Sequence, residues 1–121
     1  MNVCKNNPPL YRGAKIDSLP FKLEPGATFY DKAFFSTSRQ LSVATSFLRM
    51  ANPSQERVLF VIVKHANGID VSELSEHDGE QEVLFAPSTM FRILSVKRGH
   101  TVEGWGGFVA TCTRVELAEM H

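Results

Sequence analysis

Val58 to Val63 are six consecutive apolar residues, closed by Arg57 on one side and Lys64 on the other. The run is far too short to cross a bilayer. It suits a strand buried on both faces, at the centre of a sheet. A chain of 121 residues, 43% hydrophobic and 10% aromatic, holds enough apolar side chain to build one compact core around such a strand.

The remaining segments read mostly as short strands. Leu10 to Gly13 is one, ended by the glycine. Phe29 to Phe35 runs apolar into Ser36-Thr37-Ser38. His65 to Gly68 is a turn, Ile69 to Val71 a short strand, and Ser72 to Gly79 a polar loop. Glu80 to Phe85 is another strand, broken by Pro87. Met90 to Lys97 and Phe108 to Leu117 alternate residue by residue, the pattern of strands with two distinct faces. Between them Arg98 to Gly107 reads as a glycine-rich connection carrying Trp105. One helix stands out: Leu41, Ala44, Phe47, Leu48 and Ala51 recur at helical spacing. Thr37 with Gln40 has capping-box spacing, Ser38 is an alternative N-cap, and Pro53 ends the helix. The expectation is a single α+β domain over residues 1–121. Its architecture would be two packed sheets, or one strongly bent sheet, mainly antiparallel and with few helices.

Thirteen Lys and Arg balance thirteen Asp and Glu. That balance argues against a general nucleic-acid binder, which carries a basic excess. The polar start, Met1 to Asn7, has no signal-peptide core, and no stretch is a membrane span. Cys4 and Cys112 allow one pairing; the reading preferred is a buried reduced thiol at Cys112 and an incidental Cys4. No metal-ligand cluster is visible.

Three polar features interrupt this apolar scaffold. Arg12 lies in a short strand, where a guanidinium is either a surface charge or a fork for phosphate. Ser36-Thr37-Ser38 either caps the helix or orients a ligand or a carboxylate. In a strand, residues two apart point the same way, so Glu80 and Glu82 would share a face. Two such carboxylates form either an exposed polar face or a cleft that stabilises positive charge.

Taken in order, Arg12, Phe34-Phe35-Ser36-Thr37-Ser38 and Glu80-Gln81-Glu82-Val83-Leu84-Phe85 resemble the Arg–Ser–Glu class of mono-ADP-ribosyltransferases. That class includes clostridial binary toxins and animal arginine-specific transferases. The resemblance runs from about Leu10 to Val96. It also takes in Pro25-Gly26, Asp31 to Phe34, Gly68 to Ser75, and Gly79 with Ala86-Pro87.

The resemblance implies an ADP-ribosyltransferase-like fold, with NAD as substrate and no metal. By the same resemblance, Arg12 would bind the NAD phosphates, and Gly13 would offer its backbone to the nicotinamide carboxamide. Ser36 would hold the catalytic carboxylate of Glu82, with Thr37 and Ser38 in support. Phe35, or Phe34, would line the nicotinamide pocket. Glu80 would serve the acceptor, and a glutamate there points to arginine. The loop Ser72 to Gly79 would read the target protein, with His77 in place of the usual aromatic. Members of the class carry helices ahead of the Arg strand that wall the NAD cleft, whereas nine residues precede Leu10 here. A secreted toxin or effector acting in a target cell's cytoplasm fits the class, with an inhibitor or immunity protein as a further partner. The physical logic agrees: cleaving the nicotinamide–ribose bond develops positive charge on the ribose, which a carboxylate beneath it stabilises. Two rivals share the scaffold: an NAD glycohydrolase, and a non-catalytic NAD- or protein-binding module.

Overall fold

The computed structural model describes residues 8–15, 22–50, 56–71, 81–103 and 109–120. Expectations about Cys4, Pro53, the 72–80 segment with His77 and Glu80, and Trp105 fall outside that set. The described elements are β1 (Leu10–Lys15), β2 (Thr28–Tyr30), β3 (Phe35–Ser38), α1 (Leu41–Met50), β4 (Arg57–Lys64), β5 (Ile69–Asp70), β6 (Glu82–Phe85), β7 (Met90–Glu103) and β8 (Val109–Glu119). With one helix of ten residues against eight strands, the fold is mainly β rather than α+β. Among the described residues no helix is long and apolar enough to cross a membrane.

Hydrogen bonds join all eight strands into one mixed sheet, in the order β2-β7-β8-β4-β1-β3-β6-β5. Every pairing is antiparallel except β4 with β8. Of the two arrangements expected, the two separate sheets are not found. The ring contacts show instead that one sheet is strongly bent. In a flat sheet with strands ~4.8 Å apart, β6 and β7 would lie ~24 Å from each other. Yet Phe85 of β6 and Phe91 of β7 have ring centroids 5.2 Å apart, and Phe29 of β2 lies 6.3 Å from Phe35 of β3. The sheet therefore curls until its two halves face each other. Phe29, Phe35, Phe60, Phe85 and Phe91 fill the space between, with Leu10, Val58, Ile62, Ile93, Val115 and Leu117.

β4 occupies the centre, as its composition demands. Val58, Phe60 and Ile62 enter this inner core, while Leu59 and Val61 pack on the outer face with Ala44 of α1 and with Cys112. Cys112 is a free, buried thiol, and its burial pushes its pKa up. The helix follows its expected spacing at Ala44, but Leu41 is exposed.

β7 is longer than the sequence suggests. Lys97 pairs with Arg114 and His100 with Cys112, so β7 carries one more residue than β8 over that stretch. Gly99, with φ of 68°, takes the left-handed conformation such a bulge requires. The first part of the expected glycine-rich connection, Arg98 to Glu103, is thus a continuing strand with a bulge at Gly99, and β1 likewise runs past Gly13 to Lys15. A second irregularity between Ile93 and Ser95 shifts the alternation, so that Val96 also packs on the core.

Gly68 turns the chain into β5. A Cβ there would sit 2.5 Å from Cγ1 of Val83 and 3.2 Å from the Phe85 ring, both buried. Gly68→Ala should therefore destabilise by about 1–3 kcal/mol, the usual scale of overpacking, read as a lower urea midpoint with an unchanged m-value.

Candidate active site

β1 is in register with β4 along its whole length, and β3 with β6 along its whole length. β1 and β3 themselves meet at one pair only, Tyr11 opposite Ser38. Beyond that pair they part, and a cleft of about 160 Å³ opens between them. Arg12, Gly13, Ser36, Ser38, Val43 and Glu82 are among its lining residues.

Residues opposite each other in an antiparallel pair point to the same side. Ser38 faces Glu82 and Ser36 faces Leu84, whereas Phe35 faces Phe85 and Thr37 faces Val83. The strand period thus places Phe35, Val83 and Phe85 in the core and leaves Ser36, Ser38 and Glu82 together on the outer side. There Ser36 Oγ donates to Glu82 Oε2 at 2.6 Å, short for an O–H···O bond. Glu82 is half-buried at the first position of β6. The serine fixes its carboxylate at the rim of the cleft.

Arg12 bridges the gap. Its Nη1 donates to the backbone oxygen of Ser36 at 2.9 Å, and its guanidinium carbon lies 4.7 Å from the centroid of the Phe35 ring. Burial lowers its pKa and the charge of nearby Asp31 raises it. A guanidinium carries five donors, so others remain beside the one given to Ser36. Held over an aromatic face in a partly desolvated cleft, it is suited to a phosphate.

Other expectations are redirected. Phe35 does not line the cleft; it belongs to the core and supports Arg12 from beneath. Phe34 is exposed. Thr37 is not a helix cap: its hydroxyl is buried and donates across the sheet to the Val83 carbonyl at 2.8 Å. A capping box needs that hydroxyl near the first turn, but Thr37 lies within β3 and points inward. Ser38 Oγ accepts the Gln40 N–H at 3.0 Å, closing the turn that leads into α1. The shared face of Glu80 and Glu82 also fails as a strand argument. β6 begins at Glu82, and Gln81 has φ of 47°, which interrupts the alternation between them. Glu80 itself lies outside the described residues. Gly13 lines the cleft.

The sequence pattern did not single out Tyr11 and Val43, which also line the cleft, and gave no role to Asp31, whose charge acts on Arg12. Only the adjacency of Tyr11 to Arg12 offered a signal. Among the described residues no group of three or more His, Cys, Asp or Glu side chains could hold a metal ion.

A mainly-β fold of one curled mixed sheet, split at its centre beside an Arg, a Ser and a Glu, defines the class to which relatives can be compared. The ADP-ribosyltransferase exoenzyme family model matches residues 10–118, and the chain belongs to that family. It is 40% identical over 101 residues to Vis of Vibrio splendidus, described as a putative NAD(+)–arginine ADP-ribosyltransferase; the match covers 78% of this chain and 40% of Vis. The crystal structure of Vis with agmatine superposes with a TM-score of 0.68 at 32% identity, covering 93% of this chain and 49% of that one. Exoenzyme S of Pseudomonas aeruginosa, in complex with human 14-3-3 protein beta and bound to carba-NAD, shares the fold at a TM-score of 0.64 and 24% identity, over 92% of this chain and 47% of that one. The chain thus spans less than half the length of these relatives.

The Ser36–Glu82 bond is open to a direct test. A double-mutant cycle of Ser36→Ala and Glu82→Ala, read by urea unfolding, should give a coupling energy of about 1–2 kcal/mol, reduced from the buried value by partial exposure. Additive effects would show that the two side chains do not interact in solution.

Proposed function

We propose that this chain transfers ADP-ribose from NAD to an arginine side chain, releasing nicotinamide. The observation that carries the reading is the Ser36–Glu82 hydrogen bond at the rim of a cleft bridged by Arg12, in a member of the ADP-ribosyltransferase exoenzyme family. Arg12 binds the NAD phosphates, and Gly13, without a side chain, lets the nicotinamide carboxamide approach the backbone. Phe35 acts through Arg12, by holding its guanidinium in place. Ser36 orients Glu82, with Ser38 and Thr37 fixing β3 between α1 and β6.

In the reaction, the bond between the nicotinamide ring nitrogen and ribose C1′ breaks, and its electron pair leaves with nicotinamide. Glu82 stabilises the cationic ribose. A guanidino nitrogen of the acceptor then bonds to C1′ and gives up one proton, which Glu80 accepts. The identity of the acceptor is supported by Glu80 and by the agmatine bound to Vis, since agmatine presents the same guanidino group as arginine. On this reading residues 1–121 carry one catalytic core that acts on a protein substrate. A secreted toxin or effector role follows from the family, with an inhibitor or immunity protein as its natural counterpart.

Incubation with NAD, with and without agmatine, tests the assignment through released nicotinamide and ribosylated agmatine. Glu82→Gln should lower both by about 10²–10³-fold, the scale of losing one preorganised electrostatic group. Glu80→Gln should abolish transfer to agmatine and spare much of the hydrolysis. Undiminished NAD cleavage by Glu82→Gln sinks the assignment. Equal loss of both activities in Glu80→Gln removes the separate acceptor role of that residue. Calorimetry finding no NAD binding by the wild type would favour the non-catalytic module.

A further inference from the structure

Residues 72–80 join the β5 side of the sheet to Gln81, which directly precedes Glu82. The base of this segment is a short antiparallel ladder: Ile69 opposite Leu84, Asp70 opposite Val83, and the Val71 N–H donating to the Glu82 carbonyl at 3.1 Å. Arg39, at the junction between β3 and α1, grips both arms of this base. Its backbone N–H donates to the Gln81 carbonyl at 3.2 Å, and its Nη1 donates to Asp70 Oδ2 at 2.6 Å. Gln81 is held there in the left-handed region, which costs a residue with a Cβ some strain.

The ion pair is exposed on both sides, at 39% and 48% of side-chain area. Exposed pairs of this kind contribute little to stability. The contribution of this one is geometric. Arg39 follows Ser38, whose partner across the sheet is Glu82, so it ties the strand that carries Ser36 to both ends of the segment that carries Glu80. The NAD-side contacts, Arg12 to Ser36 and Ser36 to Glu82, do not involve it.

We infer that Arg39, through its ion pair with Asp70 and its bond to Gln81, is a positioning residue for acceptor use, holding the base of the 72–80 segment in register with the Ser36–Glu82 site. This rests on the reading of Glu80 as the acceptor-side carboxylate. It makes Arg39 and Asp70 determinants of how the guanidino acceptor engages, and leaves NAD cleavage to the residues already described.

The test compares nicotinamide release from NAD alone with transfer to agmatine. Arg39→Ala and Asp70→Asn should each raise the KM for agmatine about three- to fivefold, the scale of one exposed ion pair. The KM for NAD and the rate of NAD hydrolysis should stay at wild-type values. The charge-swapped double variant, Arg39→Asp with Asp70→Arg, should recover most of the agmatine KM, which a merely structural role would not produce. An unchanged ratio of transfer to hydrolysis in both single variants overturns the inference. So does a parallel loss of both activities, or a swap no better than the worse single variant. Glu80→Gln run alongside separates the two ideas. If it leaves transfer intact, the acceptor reading itself falls; if it removes transfer while the Arg39 and Asp70 variants do not shift the ratio, only the role of the pair is lost.

Discussion

Tyr11 faces Ser38, and past that single pair β1 and β3 run apart. A sheet tolerates such a split only when each strand is satisfied on its other edge. Here β1 has β4 and β3 has β6, both in continuous register. The separation leaves polar backbone facing an open cleft at the centre of the fold instead of a protected ladder. Arg12 meets part of that demand by donating to the Ser36 carbonyl. The side chain suited to an anion and the strand carrying the serine are thereby fixed by one another.

The curl of the sheet makes this arrangement rigid. Phenylalanines from β2, β3, β4, β6 and β7 meet in one cluster, so strands far apart in hydrogen-bonding order touch through their rings. Phe35 and Phe85 anchor β3 and β6 from the inner side, and Thr37 adds a buried bond between the same strands. With alternate residues committed to the core, Ser36 and Glu82 have one face left to occupy. The short hydrogen bond between them is a consequence of that commitment, because Ser36 and Glu82 lie diagonally across a paired register.

The pair Glu80 and Glu82 gains a sharper description. An uninterrupted strand would carry both carboxylates on one face as equivalent groups. Gln81 at positive φ marks the end of that strand period: Glu82 belongs to β6 and to the Ser36 bond, and Glu80 precedes Gln81 in sequence.

Much of this was legible in the chain. The unbroken apolar run of Val58 to Val63 required a central strand, because only two-sided burial accommodates it. The helix after the hydroxyl triplet followed from its spacing, and the order of Arg12, Ser36 and Glu82 carried the family. Local period is encoded residue by residue, so these features needed no partner to be read. The rest depended on contacts between distant segments. Curling of one sheet, the split between β1 and β3, the burial of Phe35, the inward turn of Thr37 and the bulge at Gly99 are set by which strands pair and which rings meet. Those choices are made by packing across the whole sheet, where a short window of sequence has no term for the partner on the other side.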